Sequence, residues 1–535
     1  MEVLLLSFLL ILVIGSFFLE GTSQTFISQS GIALLFGVFA GGCLVVAENY
    51  SYDEHLNFNN NVFFEVLLPP IIYEAGFSVK RVHFFSNLGA IMSTAIVGTL
   101  IATGVTGGAI YVGGLYGVIT PLSWIESFLF GALISAVDPV ATLACFEKLN
   151  APPLLFNIVF GESLLNDAVV IALYQTLSKW KPDATFSASG LGSVLGSTLA
   201  MLGGSLVVSA AITLAGAFLM NRALFSRLHL FPAYEISLCL IFSLLTYYAA
   251  ESLHLSGIVA LFFSGILTAH YHFHTLSLPG QQSFRHLLHT FSFVCETLVF
   301  VFMGTSLVFV FAGHTDDGMT WHDIDWTFIG FTMGFLLLSR LLNIVPLLAV
   351  SNIWRRAHER ISPTTMFVIW FAGLRGAISF ALVKTWSFVD ADGHSHRPLI
   401  VSTTLIIVVF TTLVLGGLTG PLLAALGHKP HANAETAPGS PVSRPSFSFL
   451  QSIDDDTHNA ASQLRQRRPA HDALIEPEDG SIAKKVATKW NSVDSRYLQP
   501  LFGGQQLIAS RVEASIAASN VYSFVETPTG HDRTN

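Results

Sequence analysis

Within a stretch apolar enough to cross a lipid bilayer, residues 160–170 read FGESLLNDAVV and place Glu162, Asn166 and Asp167 where hydrocarbon penalises every charge. Ser163 and Asp167 are four residues apart and share one helical stripe; Glu162 and Asn166 share the neighbouring one. Asp167 with the Ser163 hydroxyl makes an oxygen-rich point suited to a hard monovalent cation or a proton. Glu162 faces another direction and calls for an arginine on a different helix, for which Arg340 in LLLSRLLNIV is the best candidate. The alternative is that both acids are structural pairs. Against it, the apolar segments hold Glu65, Glu74, Asp138, Glu162, Asp167, Glu251 and Glu296 but only Arg340, Arg375 and Lys384 to neutralise them. Glu251 and Lys384 lie near segment ends, where a long side chain can snorkel to the interface.

Two further stretches bear on the same chemistry. In GALISAVDPVATLACF, Pro139 has no N–H, so the Ser135 carbonyl loses its helical partner and a break is expected. Irregular backbone at membrane depth persists only inside protein or along a watery cavity, where freed carbonyls and half-helix ends can bind ions. Asp138 lies at that break, placed to neutralise a positive helix end. A plain proline kink with a satisfied aspartate is the simpler alternative. In FAGLRGAISFAL, Gly373 and Gly376 flank Arg375, weakening the helix where a fixed cation would face exposed C-terminal carbonyls.

The elements that must position these residues are membrane helices. The chain has 535 residues, 52% hydrophobic and 11% charged, with a mean hydropathy of +0.60, against about 25% charged in soluble domains. A net charge of −9 argues against a nucleic-acid partner. At about 20 apolar residues per span, roughly thirteen spans are expected. They fall near residues 2–19, 27–46, 61–78, 87–111, 126–146, 154–178, 193–220, 234–252, 255–271, 287–312, 327–350, 363–387 and 398–426. The N-terminus lacks a basic region and a small-residue cleavage site, so it reads as a retained helix. Lys80, Arg81, Lys148, Arg222, Arg227, Arg285, Arg355, Arg356 and Arg360 fall in one alternating set of connections, which should be cytoplasmic, as should the C-terminus. The outer loop after the second span carries a glycosylation sequon at Asn49. The fifth and twelfth spans, each interrupted, are both fifth in a six-span set if the seventh is a linker, which points to a transporter built from inverted repeats. Cys43, Cys145, Cys239 and Cys295 all lie in apolar segments without metal-ligand spacing. Residues 1–427 form the transmembrane unit and residues 428–535 a polar, largely disordered regulatory tail, in which IAKKVATKWNSVDSRYLQPLF is apolar enough to dock.

Four motifs, FFEVLLPPIIYEAGF (63–77), SAVDPV (135–140), FGESLLNDAVV (160–170) and GLRGAISFAL (373–382), in this order resemble the eukaryotic sodium/proton exchangers of the monovalent cation/proton antiporter superfamily. The resemblance covers residues 1 to about 427, and DSRYLQPLF (494–502) resembles a tail element of the organellar, endosomal and Golgi branch. It implies an all-α polytopic homodimer with a dimerisation domain, a moving core domain and two crossing broken helices. It makes Asp167 the cation- and proton-binding carboxylate, with Asp138, Ser163 and Asn166 in the ion site. Glu162 and Arg340 would form the core ion pair, and Arg375 would balance the crossing. Asn166 stands where electrogenic relatives have a second aspartate, which implies electroneutral one-for-one exchange. Two departures are Val137, where many relatives have Thr, and Glu65, at a usually apolar position of an inhibitor-associated stretch, so amiloride sensitivity is not assumed.

The expected function is therefore antiport of Na+ or K+ against H+, without cofactor, metal or ATP, since no phosphate-binding loop is present. Partners are the lipid, the ions, a second copy and regulatory proteins at the tail; the compartment favoured is Golgi or endosome, with the plasma membrane as alternative. Rival classes are a cation channel or transporter-shaped pH sensor, which saturable proton-coupled flux separates, and an intramembrane aspartyl protease using Asp138 and Asp167, which lacks the Gly-x-Gly-Asp context. HYHFH (His270, His272, His274) is an interfacial run, with cytoplasmic pH sensing or metal binding as the functional alternatives.

Overall fold

A computed structural model describes residues 29–46, 63–79, 87–138, 146, 153–180, 188–220, 228–312, 324–353, 355, 360–389, 395–426 and 493–502. Among these residues the fold is all helical, as a bilayer demands of a chain that must satisfy its backbone internally. The helices are α1 (Gln29–Val46), α2 (Leu68–Phe77, entered through a π turn Phe63–Leu67), α3 (Leu88–Leu115), α4 (Trp124–Ile134), α5 (Pro153–Leu177) and α6 (Ala188–Met220). They continue with α7 (Pro232–Ser252), α8 (Gly257–His270), α9 (Leu278–Ala312), α10 (Trp326–Ile353), α11 (Pro363–Phe371) and α12 (Ala377–Lys384). Helix α13 (Arg397–Phe410) runs through a π turn Thr411–Leu415 into Gly416–Ala425. Helices α3, α5, α6, α7, α9, α10 and α13 are each long and apolar enough to cross a membrane. The span expected at 2–19 and the sequon at Asn49 lie outside the described residues.

Local signals explain the ends. Ser123 and Glu126 close a capping box on α4, and Ser256 and Ser362 cap α8 and α11, the latter with Pro363 in its first turn. Helix α9 begins at Leu278, earlier than the expected 287, because Pro279 suits a first turn and the polar run after it has good helix formers.

Two sets of helices pack together. Helices α1, α2, α7, α8 and α9 form one, and α3, α4, α5, α10, α11, α12 and α13 the other; α6 touches both α5 and the α7–α8 pair. Backbones approach closely within the first set: a Cβ on Gly76 would strike the Phe262 carbonyl, and one on Gly265 the Tyr73 carbonyl. Helix α5 is the most enclosed spanning helix, with 83% of its best apolar window buried against 28% for α6. Its charges therefore face protein, not lipid.

Candidate functional site

Both expected interruptions are present. Helix α4 ends at Ile134, and residues 135–138 continue as non-helical chain. The break comes earlier than Pro139 alone requires, because the residue before a proline is also pushed out of the helical region and neighbouring helices take up the released backbone groups. The second broken span stops at Phe371 and resumes at Ala377 as α12. The two unwound stretches hold each other, the Asp138 N–H donating to the Leu374 carbonyl at 2.9 Å.

Charge at this crossing follows the helix ends. Arg375 Nη1 donates to the carbonyls of Ser135 and Ala136, each at 2.9 Å, so the carbonyl that Pro139 deprives of its partner is met by a guanidinium. The Ser379 hydroxyl donates to the Leu133 carbonyl at 3.0 Å, completing the C-terminal end of α4. Conversely, the Asp138 carboxylate lies against Gly376, the residue before α12, where a Cβ would collide with it. A carboxylate thus sits at the positive end of α12 and an arginine at the negative end of α4.

The second arginine repeats the device. Arg340, on α10, donates through Nη1 to Glu162 Oε1 at 2.6 Å and through Nη2 to the carbonyl of Ile369, in the last turn of α11, at 3.1 Å. Both partners of this ion pair are buried, and Gly373 leaves the space through which the Arg340 side chain passes. Among the described residues Glu162 Oε2 has no hydrogen-bond partner.

Asn166, one turn from Glu162, has both ends of its amide engaged. Its Oδ1 accepts from the Val137 N–H at 3.2 Å, and its Nδ2 donates to Thr99 Oγ1 at 2.8 Å. Sequence reasoning placed Asn166 in the ion site; its bonding is that of a strut joining α3, α5 and the unwound stretch after α4. The substitution of Thr by Val at 137 leaves the backbone N–H to make this contact.

Asp167 is 8% exposed and within Coulombic reach of Asp138 and Arg375. Among the described residues no donor reaches its carboxylate. Ser163 Oγ, on the same stripe, is buried without a hydrogen-bond partner among those residues. Glu296, on α9, is within Coulombic reach of Asp138 and Glu74, and its Oε1 is also buried without a partner. The site therefore combines a carboxylate free of fixed donors, a free hydroxyl and a neighbouring acid.

A family model described as "Sodium/hydrogen exchanger, transmembrane" matches residues 4–425, most of the chain. The chain belongs to the sodium/hydrogen exchanger family. The exchanger is a multi-pass membrane transporter of the cation/proton antiport class, not an enzyme. It is 39% identical over 404 residues to "Sodium/hydrogen exchanger 8" of Rattus norvegicus, covering 74% of this chain and 67% of that protein. It is 32% identical over 489 residues to "Sodium/hydrogen exchanger 5" of Arabidopsis thaliana, covering 89% and 88%. Its fold matches the sodium proton antiporter MjNhaP1 from Methanocaldococcus jannaschii with a TM-score of 0.57 at 18% identity, over 80% of this chain and 98% of that one.

Sequence reasoning missed the hydroxyls that fix the exchanger's crossing. Thr411 Oγ1 accepts from the Arg375 N–H at 3.1 Å, and the Thr412 hydroxyl donates to the Arg375 carbonyl at 3.2 Å. Their run, VVFTTLVLGG, offers no signal of its own, since hydroxyl pairs such as Thr403 and Thr404 occur in the same apolar span. The HYHFH run is not a set of free imidazoles: His272 lies with Nε2 against Met220 Sδ at 2.7 Å, and burial pushes its pKa down to about 4. Among the described residues no three His, Cys, Asp or Glu side chains form a metal cluster.

Proposed function

We propose that the exchanger carries one Na+ or K+ against one H+ per cycle without net charge, with Asp167 as the carboxylate that both ions share. The observation that carries this reading is the Asp167 side chain itself: nearly buried, unbonded by any donor among the described residues, and beside Asp138 and Arg375 at the crossing of the broken helices. A bare carboxylate in that setting is costly, so a proton or a cation must accompany it through the protein. Occupancy by one excludes the other, and neither loaded state needs a second titrating charge. Asp138 and Ser163 supply the further oxygens; Asn166 acts as a positioning residue and is neutral, which supports electroneutrality. Glu162 with Arg340, and Arg375, hold the broken helices in register.

The resemblance to the organellar branch supports a Golgi or endosomal membrane, a cytoplasmic C-terminus, a homodimer and a regulatory role for the tail. The test is cation-driven proton movement in proteoliposomes, comparing the wild type with Asp167→Asn at zero and at imposed membrane potential. Flux that requires Asp167 and ignores voltage is expected, and titration of Na+ against K+ then names the ion. Unchanged flux in Asp167→Asn overturns the assignment of the site; voltage-driven flux overturns electroneutrality.

A further inference from the structure

The tail segment 493–502 begins 67 residues beyond the last described residue of the membrane unit, yet it is seated on that unit. Asp494 is only 4% exposed. Its Oδ1 accepts from the Tyr271 hydroxyl at 2.6 Å, and its Oδ2 lies 3.1 Å from His270 Nε2. Eight residues on, the Phe502 ring meets Phe218 edge-on at 6.4 Å between centroids and Tyr271 at 6.2 Å. Phe218 is in the last turn of α6, and Tyr271 follows the last residue of α8. At the same corner His272 contacts Met220, the final residue of α6. One short segment therefore bridges the end of α6 to the turn between α8 and α9.

We propose that residues 493–502 are a tethered autoinhibitory clamp, latched by Asp494, that restrains exchange by fixing the end of α6. The proposal rests on the transport reading above and adds to it that one set of helices shifts against the other during exchange. Helix α6 touches both sets, so a shift between them must be accommodated along it, and a clip from its end to the α8–α9 turn opposes that shift. The contact is suited to release: it is made by a short segment through a carboxylate and an aromatic ring among others, on a polar tether that keeps the segment at high effective concentration. Among the described residues, none of its side chains belongs to the membrane unit's hydrophobic core, so undocking leaves the described core intact.

The test uses full-length protein in proteoliposomes. Asp494→Ala removes the acceptor of both polar contacts, and loss of a buried charged hydrogen-bond pair shifts docking by about tenfold or more. A several-fold rise in exchange rate is expected for Asp494→Ala and a smaller rise for Tyr271→Phe. Docking is read independently with the pair Phe218→Cys and Phe502→Cys, bridged by a reducible thiol cross-linker long enough to span the two ring positions and read by mass spectrometry of the linked peptides. The link should form with Asp494 present, fall sharply with Asp494→Ala, and lower the exchange rate until reductant is added. No link, or a link whose formation and reduction leave the rate unchanged, overturns the clamp. A lower rate in Asp494→Ala also overturns it, since the segment would then support transport. Absence of exchange in every protein, wild type included, overturns the transport reading and the restraint together, while the link still reports whether the segment docks.

Discussion

The Glu162–Arg340 pair allows a quantitative prediction from three substitutions: Glu162→Gln, Arg340→Gln and the double. Both groups are buried and 2.6 Å apart, and removing one partner of a buried pair costs about 3–5 kcal/mol because the other charge stays uncompensated. Arg340→Gln also deprives the Ile369 carbonyl of its donor, adding about 1.5–3 kcal/mol for a charge-assisted bond. The two singles therefore sum to roughly 7.5–13 kcal/mol. In the double substitution both groups are neutral amides able to bond each other, and only the Ile369 contact remains lost, at about 3 kcal/mol or less. The expected coupling is then about 4 kcal/mol or more, large for neighbouring residues. Thermal unfolding of detergent-purified protein should show Arg340→Gln melting lowest, Glu162→Gln next, and the double above both. A double that melts as low as the sum of the singles, or a single that melts with the wild type, would refute the claim that this pair is a mutually compensating charge.

Three further outcomes follow from individual contacts. Gly376→Ala forces a Cβ onto the Asp138 carboxylate and should lower vesicle exchange by about tenfold or more, the equivalent of the 1–3 kcal/mol of an overpacked site; Gly420→Ala, with nothing within 4 Å of its Cβ, should leave the rate unchanged. His272 is held near pKa 4 by burial, below its unfolded value of about 6.5. Its contribution to stability is therefore full above the unfolded value and lost as pH falls towards the folded one, and His272→Gln should leave the pH profile of exchange unaltered at about pH 6–8. Asp325 caps α10, accepting from the Phe328 N–H at 2.9 Å and the Thr120 hydroxyl at 2.7 Å. Partial burial pushes its carboxyl up, but these and other donors outweigh that and hold it below the usual range. Asp325→Ala should cost about 1 kcal/mol, seen as a lower melting temperature near neutral pH. That stability is present above the unfolded value of about 3.9 and lost as pH falls through the folded one, so the difference from wild type should shrink in acid.

What could be read from the sequence was set by how strongly the bilayer marks a residue. A charge inside an apolar span is rare and expensive, so Glu162, Asp167, Arg340 and Arg375 stood out without any structure, and Pro139 identified the orphaned Ser135 carbonyl that Arg375 meets. Hydroxyls carry no such mark. Thr94, Thr99, Ser339 and Thr404 all donate to carbonyls three or four residues back in their own helices, which is how a hydroxyl hides in any membrane helix. Nothing local distinguishes them from Thr411 and Thr412, which clasp Arg375 from 36 and 37 residues away. Glu126 shows the same divide within one side chain: its capping box with Ser123 is local and legible, whereas its contact with His396 spans 270 residues.

The clasp on Arg375 also shows why backbone geometry matters to the site. Adjacent residues of a regular α-helix point about 100° apart, so two neighbouring threonines would not ordinarily serve the N–H and the C=O of a single residue. Here a π turn starts at Thr411, and the extra residue it accommodates turns both hydroxyls towards the unwound stretch at Arg375. A second π turn, Ser93–Val97, immediately precedes the turn of α3 that carries Thr99 to Asn166. Arg375 is thus gripped directly by a helix carrying a π turn, through Thr411 and Thr412, whereas Val137 is held by Asn166 of α5, which Thr99 of α3 in turn braces. Where α13 loses its regular register it aims hydroxyls at a peptide that no helical partner can reach, and the crossing depends on that aim as well as on its charges.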